Sequence, residues 1–83
     1  MMYTIINRAQ IGPVAGIIEG LHPGSLVAGA HLYRNRVDVC VLFVPCQVEA
    51  DLLQQLGAEL HRQVIGERRD GSLWLEIDRH DDY

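Results

Sequence analysis

Four side chains able to carry protons or attack an electrophile fall close together in mid-chain: His31, Tyr33, Asp38 and Cys40. An imidazole can hold a neighbouring thiol as thiolate, and a carboxylate can orient the imidazole, so the set could make a nucleophile. Cys40 lies inside an apolar run, however, where a substrate has little access; a small core residue is its simpler role. The second thiol, Cys46, follows Pro45 at the start of an amphipathic run. Free N–H groups and the dipole of a helix beginning there would favour its thiolate, which makes it the better-placed candidate for a reactive thiol. No base adjoins it in sequence, and the chain has neither a Cys-x-x-Cys pair nor a glycine-rich phosphate loop.

Metal chemistry is poorly supported. Four histidines, two cysteines and the His80-Asp81-Asp82 tail offer ligand atoms. No two histidines stand four apart and no cysteine pair has zinc-site spacing, so no metal or other cofactor is expected. All seven cationic side chains are Arg, with no Lys. That excludes a Schiff-base lysine and a P-loop lysine. Arg34 and Arg36 bracket one loop, and Arg68 and Arg69 approach another, where they could touch phosphates. A net charge of −4 and few aromatic residues argue against a nucleic-acid partner. On the acidic side, Glu76, Asp78, Asp81 and Asp82 could imitate a nucleic acid for a basic protein.

The elements that must position these residues follow from hydrophobic periodicity. The chain has 83 residues, 48% of them hydrophobic, which suits one small domain with a core. A short strand is expected over 1–7, then a turn at Gly12-Pro13. The segment 14–22 is ambiguous. Pro13 and Pro23-Gly24 frame a helix, but Gly16 and Gly20 each cost a helix interior about 0.8–1 kcal/mol. Val14, Ile17 and Ile18 favour extended structure, so the reading leans to a strand.

From Ser25 to Tyr33 the pattern alternates, with Leu26, Ala28, Ala30 and Leu32 on one face and Val27, Gly29, His31 and Tyr33 on the other. A tight loop in Arg34-Asn35-Arg36 then feeds a strand over Val37 to Val44. Its Val37, Val39, Val41 and Phe43 share one face; Asp38, Cys40, Leu42 and Val44 share the other. A two-residue loop sets Leu32 and Ala30 beside the valines and brings His31, Tyr33, Asp38 and Cys40 together. Cys46 or Gln47 caps the following helix, whose last turn carries His61 and Arg62. Val48, Leu52, Leu53, Leu56, Leu60 and Val64 fall on one apolar stripe. Ile65 falls outside that stripe, so the helix ends near Gln63. Asp70-Gly71 then joins two strands over 64–69 and 72–79, and the polar tail from His80 to Tyr83 is expected to fray.

The fold expected is α+β: an antiparallel sheet of four to six strands with one main helix, about 47–63, packed on one face. A helix at 14–22 would instead suggest a ferredoxin-like β-α-β-β-α-β plan. In either case the central strand is apolar on both faces beyond Cys40, and one helix covers only one of them. The uncovered face, with His31, Tyr33, Asp38, Cys40, Leu42 and Val44, is therefore the expected binding surface. Self-association is the simplest cover, so a homodimeric, non-catalytic binding domain for a protein or small ligand is expected. A thiol- or His-dependent enzyme using Cys46 or the Cys40/His31 face is the alternative. The N-terminus lacks the pattern of a signal peptide and no apolar run approaches the roughly 20 residues of a membrane span, which suggests a reduced cytoplasmic setting without membrane contact.

Overall fold

The computed structural model describes residues 3–79. β1 (Thr4–Ile6), α1 (Arg8–Ile11), α2 (Pro13–Leu21), β2 (Leu26–Leu32), β3 (Arg36–Leu42), α3 (Cys46–Leu60), β4 (Val64–Arg69) and β5 (Ser72–Asp78) follow in that order. The sheet runs β1-β2-β3-β5-β4. Every neighbouring pair is antiparallel. The α+β class and the main helix packed on one sheet face are as expected. The ferredoxin-like alternative is not: that plan needs parallel strands across each helix, whereas β1 turns through α1 and α2 to pair antiparallel with β2.

The 14–22 segment forms a helix and not the strand toward which propensity leaned. Pro13 occupies its first turn, where a missing N–H costs nothing. Ala15 and Ile18 are buried, while Gly16 and Gly20 lie on the exposed side. Burial of one apolar stripe thus outweighs two poor helix formers facing water. Upstream, Arg8–Ile11 forms a single helical turn where only a turn was expected. Asn7 and Gln10 cap it reciprocally: the Asn7 side chain accepts from the Gln10 N–H, and Gln10 Oε1 accepts from the Asn7 N–H.

α2 and α3 pack on the same side of the sheet. Ile18 of α2 and Leu52 and Leu56 of α3 meet Val27, Val39, Val41, Leu73 and Leu75 in one buried cluster. Arg68 ties α3 to the sheet edge: its Nε donates to Glu49 Oε1 at 2.8 Å and its Nη2 to the Val44 carbonyl. It is therefore engaged on the helical side and does not stand free at a loop tip.

Three local departures alter which side chains face the core. A bulge between Val27 and Gly29 shifts the register so that Val27 pairs with Val41, and Gly29 with Cys40. Ala28 is the extra residue. Val27 consequently faces the core while Leu26 and Ala28 do not, the reverse of strict alternation. Beyond the bulge the expected register holds, with Ala30 opposite Val39 and Leu32 opposite Val37. At the far end of β3, Phe43 adopts φ 65°, a left-handed conformation. That kink ends the strand, turns Phe43 out to 68% exposure and rotates Val44 into the core. At the start of α3 the cap is Pro45, with no side-chain cap bond, so Cys46 is the first helical residue. His61, at φ 54°, is the left-handed cap at the other end, and the Arg62 N–H returns to the Gly57 carbonyl.

Candidate functional site

The face of the sheet opposite the helices has no covering element among the described residues. Alternation builds it. Core residues Val39, Val41, Leu73, Leu75 and Ile77 send their neighbours Asp38, Cys40, Trp74 and Glu76 to the other side. The tight Arg34-Asn35 turn, closed by the Tyr33 N–H on the Arg36 carbonyl at 2.9 Å, sets His31 opposite Asp38. The Asp70-Gly71 turn, both residues at positive φ, does the same for β4 and β5.

An aromatic row crosses this face. The Tyr3 ring lies 4.5 Å from His31 and 5.3 Å from Tyr33, centroid to centroid. His31 in turn lies 5.0 Å from Trp74. Because β3 separates the strands of His31 and Trp74, their rings meet over it. The Arg69 guanidinium continues the row from β4, 5.1 Å from the Trp74 ring, and Arg36 sits 4.1 Å over Tyr33. Each of the five strands borders the row, so the sheet order decides its continuity.

Asp38 lies beneath it. On a face without a covering layer among the described residues, Asp38 is only 3% exposed. Arg36 Nε donates to its Oδ1 at 3.2 Å and approaches Glu76 at 3.9 Å. Burial alone would lower the Arg36 pKa; Asp38 and Glu76 more than offset that and hold it above its ordinary value. A hydrogen bond to Glu67 likewise raises Arg69, against the pull of burial. The guanidiniums of this face are thus already matched to carboxylates within the chain.

Of the residues expected on this surface, His31, Tyr33, Asp38 and Cys40 lie there together, and Leu42 joins them opposite Leu26. Val44 does not, because the Phe43 kink buries it. The bulge leaves a shallow depression of about 410 Å³ bordered by Ile5, Gly29, His31, Cys40 and Trp74. Cys46 is exposed at the far side of the β3–α3 junction, and both cysteines are free thiols. Among the described residues no group of three His, Cys, Asp or Glu side chains could hold a metal ion. The His80-Asp81-Asp82 tail lies outside the described residues, as do two members of the acidic Glu76–Asp82 group. No described helix is long and apolar enough to cross a membrane.

Tyr3 and Trp74 were not legible as site residues in the sequence, and Arg36 and Arg69 were read only as possible phosphate contacts near loops. Each alternates correctly within its own strand, but only the β3-β5-β4 order sets Trp74 and Arg69 beside His31. Comparison of the chain with protein-family models, with curated proteins and with solved structures finds no match.

Proposed function

We propose that this chain is a non-catalytic binding domain that works as a homodimer, the open sheet face of one copy docking on the same face of another. The observation that carries this reading is the composition of the face. A sheet surface meant for water carries polar alternate residues. Here Ile5 is 72% and Tyr3 48% exposed, with Leu26 and Ile65 also solvent-facing around the aromatic row. Large aromatics, Arg and exposed aliphatics are the residues enriched at buried interface centres.

Size and charge support a second copy as the occupant. One three-residue strand and four of six or seven residues, at about 3.3 Å rise and about 4.8 Å spacing, give a footprint of roughly 480 Å², which side-chain relief enlarges toward the roughly 800 Å² per partner of a standard interface. A two-fold contact sets a surface against itself, so the charges on it must include both signs to pair, and Arg36 and Arg69 stand there with Glu67 and Glu76. Nucleic acid fits less well: stacking rings are present, but both arginines already face carboxylates and the chain carries −4.

Sedimentation of the full chain tests this. A dimer is expected at micromolar concentration. Ile5→Glu should convert it to a monomer with unchanged circular dichroism, since Ile5 is mostly exposed and packs little within the chain. A wild-type chain that stays monomeric at high micromolar concentration overturns the proposal, as does a monomer that retains single-stranded nucleic acid at physiological salt.

A further inference from the structure

The opposite, helical side carries a second feature. Leu32, Val37 and Ile77 pair side by side across three adjacent strands and face the helices. Over this row α2 and α3 do not close. A cleft of about 660 Å³ remains, walled by Ile11 and Val14 on one side and Leu60 on the other. Its floor and walls are aliphatic, and its volume is that of a small-molecule site.

The mouth is polar and biased in charge. Arg62 Nη1 donates to the Asp78 carbonyl at 3.0 Å, and Arg79 Nη1 donates to the Tyr33 carbonyl at 2.5 Å. Each guanidinium is thereby held in place by a neutral acceptor while most of its donors stay uncommitted. Among the described residues neither forms an ion pair with a carboxylate, unlike Arg8, Arg36, Arg68 and Arg69. Asp78 borders the cleft, but Ile77 takes the core side of β5, so alternation sends the Asp78 side chain to the open face. Among the described residues Glu59 is the remaining acid at the rim, against two arginines.

We propose that this cleft binds a free alkyl carboxylate, the chain lying on Leu32, Val37 and Ile77 and the carboxylate held by Arg62 and Arg79. An aliphatic trough ending in two anchored, carboxylate-free guanidiniums complements that class of molecule in both parts. A cation of the same length meets like charge at the mouth, and a neutral alcohol satisfies the trough alone. The site is on the helical side of the sheet, so it is independent of the open-face dimer.

The full chain titrated with decanoate, decyltrimethylammonium and 1-decanol, followed by methyl and amide NMR, tests it. Decanoate is expected to shift signals of Ile11, Val14, Leu32, Val37 and Leu60, and to bind about tenfold more tightly than the cation. Arg62→Gln should weaken decanoate several-fold and leave decanol unchanged, while Val14→Trp, which fills the trough, should weaken both. The dimer-breaking Ile5→Glu chain should bind decanoate as the wild type does. Equal affinity for the three head groups, shifts confined to the open face, or retention only on phosphatidylcholine vesicles each overturn the assignment.

Discussion

Glu19 shows how much one side chain can hold together. It reaches from α2 to accept from Arg8 in α1, and its Oε2 accepts from the Val27 N–H at 2.9 Å. Val27 lies beyond the end of β1, so Glu19 caps sheet edge that no strand covers. The Arg8 hydrogen bond, aided by the Val27 N–H, lowers its pKa from 4.5 to about 2. A carboxylate depressed in the folded state stabilises the fold above its unfolded value and loses that contribution as pH falls through the folded one. The melting temperature should therefore fall as pH drops from about 4.5 toward 2. Glu19→Gln should melt lower at neutral pH and show a flatter acid limb in thermal scans. Gly16 and Gly20 make the opposite case. A Cβ at either would meet nothing within 4 Å, so Gly16→Ala and Gly20→Ala should each stabilise by about 0.5–1 kcal/mol in urea titrations. Gly66 should not behave this way, since a Cβ there would meet Leu53 at 3.0 Å.

Among the elements, β3 bears the most on the proposed function because it is both core strand and centre of the open face. Its end is strained. A left-handed φ at a bulky residue costs about 1–2 kcal/mol. Phe43 bears it while 68% exposed, so its ring earns little from the core in return. What offsets the strain within the chain is Val44, which the kink carries into the core, and not the Phe43 ring itself. Phe43 follows Leu42 and the Leu26–Leu42 pair, at the apolar margin of the proposed interface. In the monomeric Ile5→Glu background, Phe43→Gly should stabilise the chain by about 0.5–1 kcal/mol, read from denaturant midpoints. In the Ile5 chain the same change should weaken dimerisation, seen as a higher dissociation constant by sedimentation. Equal effects in both backgrounds would place Phe43 outside the interface.

For the whole molecule, the arrangement is two layers with unlike outer surfaces. The helical side is covered by α2 and α3 but leaves a cleft over Leu32, Val37 and Ile77; among the described residues the sheet side has no covering element. A chain of this size buries little surface and gains from a partner. If the open face supplies it, thermal stability should depend on concentration: the wild-type midpoint should rise from low to high micromolar protein, and that of Ile5→Glu should not.

Periodicity by itself determined the α+β class, the α3 stripe and its end before Ile65, the turns at Arg34-Asn35 and Asp70-Gly71, and the cluster of His31, Tyr33, Asp38 and Cys40. These are local signals: a residue spacing or a turn preference acts within a few positions. The Asn7–Gln10 capping pair is equally local, yet the sequence reading saw only a turn there. Tertiary structure decided the rest. Helix or strand at Pro13–Leu21 turned on which side could be buried, and propensity is too weak to outweigh that. The Ala28 bulge and the Phe43 kink moved Val27 and Val44 into the core, because packing on α2 and α3 overrides strict alternation. Strand order, which no spacing encodes, placed Tyr3, Trp74 and Arg69 in line with His31 and made one face of the sheet a continuous surface.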